Sequence, residues 1–164
     1  MTTVLGSQPA SLVQNGGFEQ GGELPDWWNR HPPKDTAGNR HLRDTAVRRS
    51  GKASALLWSV TPTPAGQAPI QWNRYGIPVD GGSALQVSFY VKTEGVAPAG
   101  GGCHFYGKDR KHLGFIPVGG PARADDWTHV CRTVYVPPGA KTMGLALYGK
   151  ERGRTWYDDG AVVA

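Results

Sequence analysis

The groups in this 164-residue chain that could take part in chemistry are scattered rather than clustered. The five histidines, His31, His41, His104, His112 and His129, fall in no HExxH or related spacing, and no GxSxG elbow occurs. Asp125 and Asp126 stand directly before Trp127, where aspartate commonly initiates a turn. Cys103 and Cys131 are the only cysteines, too few for a zinc site by themselves, and make either one bridge or two free thiols. Catalysis needs a nucleophile with its base, paired carboxylates, or a closed set of metal ligands. No stretch offers one, so the chain is expected to be non-catalytic. One carboxylate is set apart by its surroundings: Glu19 in LVQNGGFEQGG (Leu12 to Gly22), a segment that starts like a strand, breaks at Asn15-Gly16-Gly17, and then sets Phe18 and Glu19 side by side.

A second pattern lies on strand-like segments. Gln71, Asn73 and Tyr75 alternate against Ile70 and Trp72; His104 and Tyr106 alternate against Cys103 and Phe105; Tyr148 lies opposite Met143, Leu145 and Leu147. With Tyr90, these residues would share the outer face of one sheet. Tyrosine favours sheets in any case, but as a set they have the makings of a ligand site. An aromatic face can stack on the C–H face of a pyranose while amide, imidazole and guanidinium groups bond its hydroxyls, in a concave and partly apolar site. The candidate carbohydrate-binding residues are therefore Gln71, Asn73, Tyr90, His104, Tyr106 and Tyr148. Trp58 and Trp72 are assigned to core or near-core packing rather than to the site, and Trp27-Trp28, which precede an expected loop from Asn29 to Lys34, are open to either role.

The elements that must position these residues are strands. Apolar residues recur with period two and no segment carries a sustained 3.6-residue stripe, which predicts an all-β chain. Ala84 to Glu94 is the clearest case, with Leu85, Val87, Phe89 and Val91 on one face and Gln86, Ser88, Tyr90 and Lys92 on the other. Further strands are expected over Ala53–Val60, Ile70–Val79, Gly102–Gly107, Trp127–Val136, Thr142–Gly149 and Arg154–Val163. Their short spacing, bounded by turns rich in the 24 glycines and 13 prolines, predicts two packed antiparallel sheets. We expect one domain over residues 11–164 behind a flexible tail over 1–10. No apolar run approaches the roughly 20 residues of a membrane span, and no membrane partner is expected. The start MTTVLGSQPA lacks the charged and apolar regions of a signal peptide, as in a cytoplasmic protein or a module cut from a longer secreted chain. The net charge of +5 suits an acidic partner, with basic clusters at Arg40 to Arg49 and Lys108 to His112. Without an RNP-like run, nucleic acid is not the expected one.

Three segments read together carry a resemblance: LVQNGGFEQGG with the following DWW (Asp26 to Trp28), RRSGKASALL (Arg48 to Leu57), and RTWYDDGAVV (Arg154 to Val163). In order and end-to-end placement they resemble carbohydrate-binding modules of the jelly-roll, galactose-binding-like group, which includes xylan- and β-glucan-binding modules of polysaccharide-degrading enzymes. The resemblance implies a jelly-roll β-sandwich that binds a polysaccharide as a monomer and targets a catalytic domain of a larger, secreted bacterial parent chain. It also implies a structural calcium ion held by the carboxylates of Glu19 and Asp158 and by backbone oxygens near Gly17, Arg49 and Lys52. Calcium takes six to eight oxygens and accepts carbonyls beside carboxylates. Asp159 alternates to the opposite side. The segment AGQAP before Gln71 has no aromatic residue where xylan binders often place one, and the basic clusters favour an acidic glycan. The alternative is a sandwich that packs against a neighbouring domain and binds no sugar.

Overall fold

A computed structural model describes residues 9–95 and 98–164. Ten strands follow in chain order: β1 (Asn29–His31), β2 (Asn39–Asp44), β3 (Ser54–Ser59), β4 (Ile70–Pro78), β5 (Ala84–Gly95), β6 (Ala99–Tyr106), β7 (His112–Gly119), β8 (Thr128–Tyr135), β9 (Thr142–Gly149) and β10 (Gly153–Val163). The alternation of β5 shows how they assemble. Leu85, Val87, Phe89 and Val91 are all buried, while the residues between them face outward. The same rule puts Ile70 and Trp72 of β4, Cys103 and Phe105 of β6, and Met143, Leu145 and Leu147 of β9 into a single core. Full burial of one such side chain is worth about 1.5–3 kcal/mol.

The strands form an all-β sandwich of two antiparallel sheets, ordered β1-β4-β9-β6-β7 and β2-β3-β10-β5-β8. Every expected strand is present, with ends shifted by a few residues at most. Three polar links cross between the sheets. The Tyr157 hydroxyl of β10 meets the backbone of Gly100 and Tyr148 in the first sheet. Trp72 Nε1 donates to the Leu56 carbonyl at 3.3 Å. Buried His41 of β2 places Nε2 3.1 Å from the His31 carbonyl and 3.2 Å from that of Gln71, with Nδ1 2.9 Å from Asp35 Oδ1.

Several expectations are corrected. The Leu12 stretch is not a strand but a run of turns: Asn15 has φ 53° and its side chain bonds Gln20 and Asp26. Part of the loop expected over Asn29–Lys34 is β1. Strands β2 and β7 were not anticipated, because NRHLRD has one apolar residue and HLGFIPVG is broken by Gly114 and Pro117; β7 is an edge strand, where proline is tolerated. Trp58 lies on the outer face of the second sheet between Arg40 and Arg154, not in the core. Both cysteines are free thiols: Cys103 is buried in β6 of one sheet and Cys131 exposed on β8 of the other. Of the tail expected over residues 1–10, residues 1–8 lie outside the described residues.

Candidate functional site

The outer face of the first sheet is floored by small residues. On β9, Gly144, Ala146 and Tyr148 face outward, and their partners on β6 are His104, Gly102 and Gly100. The missing side chains make room for rings to lie on the floor. A Cβ on Gly102 would come within 2.1 Å of the Phe115 ring, and one on Gly144 within 2.8 Å of the Tyr75 ring. Phe115 and Tyr75 remain 41% and 42% exposed, so part of each ring is open to solvent. His104 joins them, its ring 4.6 Å from Phe115 and 6.4 Å from Tyr106, with Nδ1 3.1 Å from His112 Nε2.

The resulting groove follows the strands for about 20 Å, the length of Thr142 to Tyr148 at ~3.3 Å per residue. At one end is a depression of about 260 Å³ lined by Gln71, His104, Phe115, Tyr148, Lys150 and the Ala68-Pro69 segment. At the other is one of about 720 Å³ lined by Tyr75, Tyr106, Lys108, Arg110, Lys141 and Thr142, among others. Burial raises the pKa of Tyr75, Tyr106 and Tyr148, keeping them neutral phenols that can donate and accept. Burial, followed by the charge of His112, lowers the pKa of His104. Flat rings edged by phenol, amide and imidazole groups can stack on and hydrogen-bond a polyhydroxylated ring.

The structure brings Gln71, His104, Tyr106 and Tyr148 together on this face. It does not bring Tyr90, which belongs to β5 in the opposite sheet and stacks on His129 at 4.6 Å beneath the Arg49 guanidinium. Alternation tells inside from outside, not which sheet a strand joins. Asn73 is on the correct face but only 2% exposed, below the contact surface between Asn29 and Ala146. Phe115, Tyr75, Lys150 and His112 were missed as site residues. The glycines of GGGCHF opposite an aromatic strand were the available signal for Phe115.

A second constellation joins the ends of the chain. The Glu19 carboxylate occupies the space of the absent Gly51 Cβ, 2.1 Å from the nearer oxygen, and accepts the Lys52 N–H at 2.8 and 3.0 Å. Asp158 is buried; its Oδ2 accepts the N–H groups of Arg49 (2.9 Å) and Ser50 (3.1 Å), and its Oδ1 that of Asp159 (2.8 Å). The Arg49 guanidinium instead pairs with Asp159 at 2.7 Å. Gly17 completes the ring, with the site of its Cβ 3.5 Å from Asp159 Oδ1 and 3.7 Å from Glu19 Cγ. Gly16 must be glycine, since a Cβ there would meet the Gly160 carbonyl at 1.9 Å. No cationic side chain forms an ion pair with Asp158 among the described residues, and burial pushes its pKa up to about 6 despite three N–H donors. No hydrogen bond among the described residues ends on the carbonyls of Gly17, Arg49 or Lys52. Carboxylates and backbone carbonyls are the donor types that calcium takes, but the Glu19 and Asp158 oxygens here accept backbone N–H groups, and no group of three or more His, Cys, Asp or Glu side chains that could hold a metal ion occurs among the described residues.

No family model matches the sequence, and no curated protein matches it. Solved structures of similar fold exist. The CBM22-1 xylan-binding domain from Paenibacillus barcinonensis Xyn10C superposes with a TM-score of 0.69 at 14% identity over 94% of each chain. The chain shares the fold of xylan-binding modules. The CBM22-1 and GH10 modules of Clostridium thermocellum xylanase 10B, solved with xylohexaose, give 0.70 at 14% identity, covering 94% of this chain and 28% of that one. The enzymatically active domain of bacteriophage CBA120 tailspike protein 4 gives 0.71 at 16% identity, covering 93% of this chain and 21% of that one. In the last two the sandwich is a fraction of a longer chain.

Proposed function

We propose that this chain is a non-catalytic carbohydrate-binding module that holds a polysaccharide in the groove on its first sheet. The observation that carries the reading is the cluster of rings over the glycine floor: Phe115 and Tyr75 fill the space above Gly102 and Gly144 while staying partly exposed, and His104, Tyr106 and Tyr148 flank them. The shared fold with xylan-binding modules supports it. Ala68 and Pro69 at the groove end bear no aromatic ring, in keeping with a polymer other than plain xylan, and the cationic rim favours an acidic one.

In this reading the module serves a catalytic domain of a secreted parent chain. Tethering to the polymer turns a bimolecular encounter into a local one and raises effective concentration without new chemistry. Glu19 and Asp158, with backbone oxygens near Gly17, Arg49 and Lys52, would hold a structural calcium, which would supply positive charge near the buried Asp158 carboxylate and tie the first turns to β10.

Affinity electrophoresis through gels containing plant and bacterial polysaccharides tests the function. Retardation by at least one polymer is expected, relieved by Tyr148→Ala or Phe115→Ala. No retardation by any polymer would favour a sandwich that only packs against a neighbouring domain.

A further inference from the structure

The far end of the groove is built differently from its middle. The hairpin joining β6 to β7 closes on a four-residue turn, Lys108 to Lys111, in which Lys111 N–H donates to the Lys108 carbonyl at 3.2 Å. Its two central residues, Asp109 and Arg110, both have left-handed backbone, with φ 56° and 58°. Such a turn is ordinarily served by Asn-Gly, since glycine adopts positive φ without steric cost. An arginine at the second position works against the local backbone. Arg110 lines the depression of about 720 Å³ together with Lys108 and Lys141, and Asp109 is the one acid in that lining among the described residues. Among the described residues, none of Lys108, Arg110 or Lys141 enters an ion pair. The floor between them is aromatic, made by Tyr106 and the half-exposed Tyr75.

We propose that this end of the groove is a subsite for a uronic acid unit, with the sugar face on Tyr75 and Tyr106 and its carboxylate bound by Arg110 between Lys108 and Lys141. The inference rests on the reading of the groove as a glycan site and adds the charge of the glycan and the place where it is read. A guanidinium presents two parallel N–H donors that match a carboxylate, which a lysine does not. Backbone strain kept at a residue whose side chain has no partner in the fold is accounted for by a partner outside it. The lysines add a field that attracts a polyanion and weakens with salt.

The test is calorimetric titration of the full chain with β-1,4-linked hexaglucuronate and with cellohexaose, which differ only in the carboxylate at C6. Wild type is expected to prefer the uronate by about tenfold or more, the scale of one charge-assisted hydrogen-bonded contact. Arg110→Gly suits the turn, so its melting temperature should be unchanged or higher while the preference disappears and cellohexaose binding is retained. Lys108→Ala with Lys141→Ala should lower the preference and its salt dependence. Equal affinity of wild type for both oligomers, or an undiminished preference in Arg110→Gly, overturns the subsite alone. Failure to bind either oligomer, together with no retardation by any polysaccharide, overturns the groove reading and the subsite with it.

Discussion

Tyr157 ties the core to the floor of the groove, and removing its hydroxyl gives a prediction with a definite size. The ring is fully buried in β10 and packs edge-on against Phe89 at 5.5 Å. Its oxygen accepts the Gly100 N–H at 2.8 Å and lies 2.8 Å from the Gly100 carbonyl and 2.7 Å from the Tyr148 carbonyl, to which the single proton can be donated. Burial raises its pKa well above 10, so it remains a phenol at neutral pH. Tyr157→Phe keeps the ring and the packing. It leaves one buried N–H without an acceptor, at about 1–3 kcal/mol, and removes one donated bond, at about 0.5–1.5 kcal/mol. The expected loss is about 2–3 kcal/mol, read from urea unfolding followed by tryptophan fluorescence. For a domain of this size it corresponds to a fall in Tm of about 5–10 °C. Because the bonds end on Gly100 and Tyr148, which face each other beneath the groove, polysaccharide affinity should weaken as well. A stability change below about 0.5 kcal/mol would refute the reasoning, since it would mean that the hydroxyl has no buried partners to lose.

Other outcomes follow from the same geometry. Chelator should lower Tm and added calcium restore it, whereas Glu19→Gln and Asp158→Asn should make Tm insensitive to both; a wild-type Tm that ignores chelator, with no bound metal detected, removes the calcium proposal. His41 and His104 have pKa values lowered from 6.5, chiefly by burial, so their contribution to stability is present above pH 6.5 and lost as pH falls below it. NMR titration should find both imidazoles changing state below pH 6.5, and a midpoint at or above that value contradicts the burial argument. Alkylation of the native protein should modify exposed Cys131 quickly and spare Cys103, whose thiol burial pushes up to about 12; equal rates would show that β6 opens readily.

What the sequence determined was local. Alternation sorted the residues of β4, β5, β6 and β9 into core and outer faces, because a strand turns each successive side chain to the opposite side. Asn15-Gly16-Gly17 marked a break in a strand-like run, and the structure shows Gly16 packed against the Gly160 carbonyl there. The resemblance set Glu19, the 49–52 turn and Asp158 around an ion; the structure joins the three segments directly, by backbone N–H groups of the turn that donate to the two carboxylates.

Tertiary structure decided which outer residues share a face. Tyr90 and Tyr148 read alike along the chain, yet β5 pairs with β10 and β8 while β9 pairs with β4 and β6, so they lie on opposite sides of the sandwich. Phe115 enters the groove only because β7 pairs with β6 and sets its ring over Gly102. Sheet membership is settled by contacts between residues far apart in the chain, and period-two patterning, which repeats every second residue, contains no record of them.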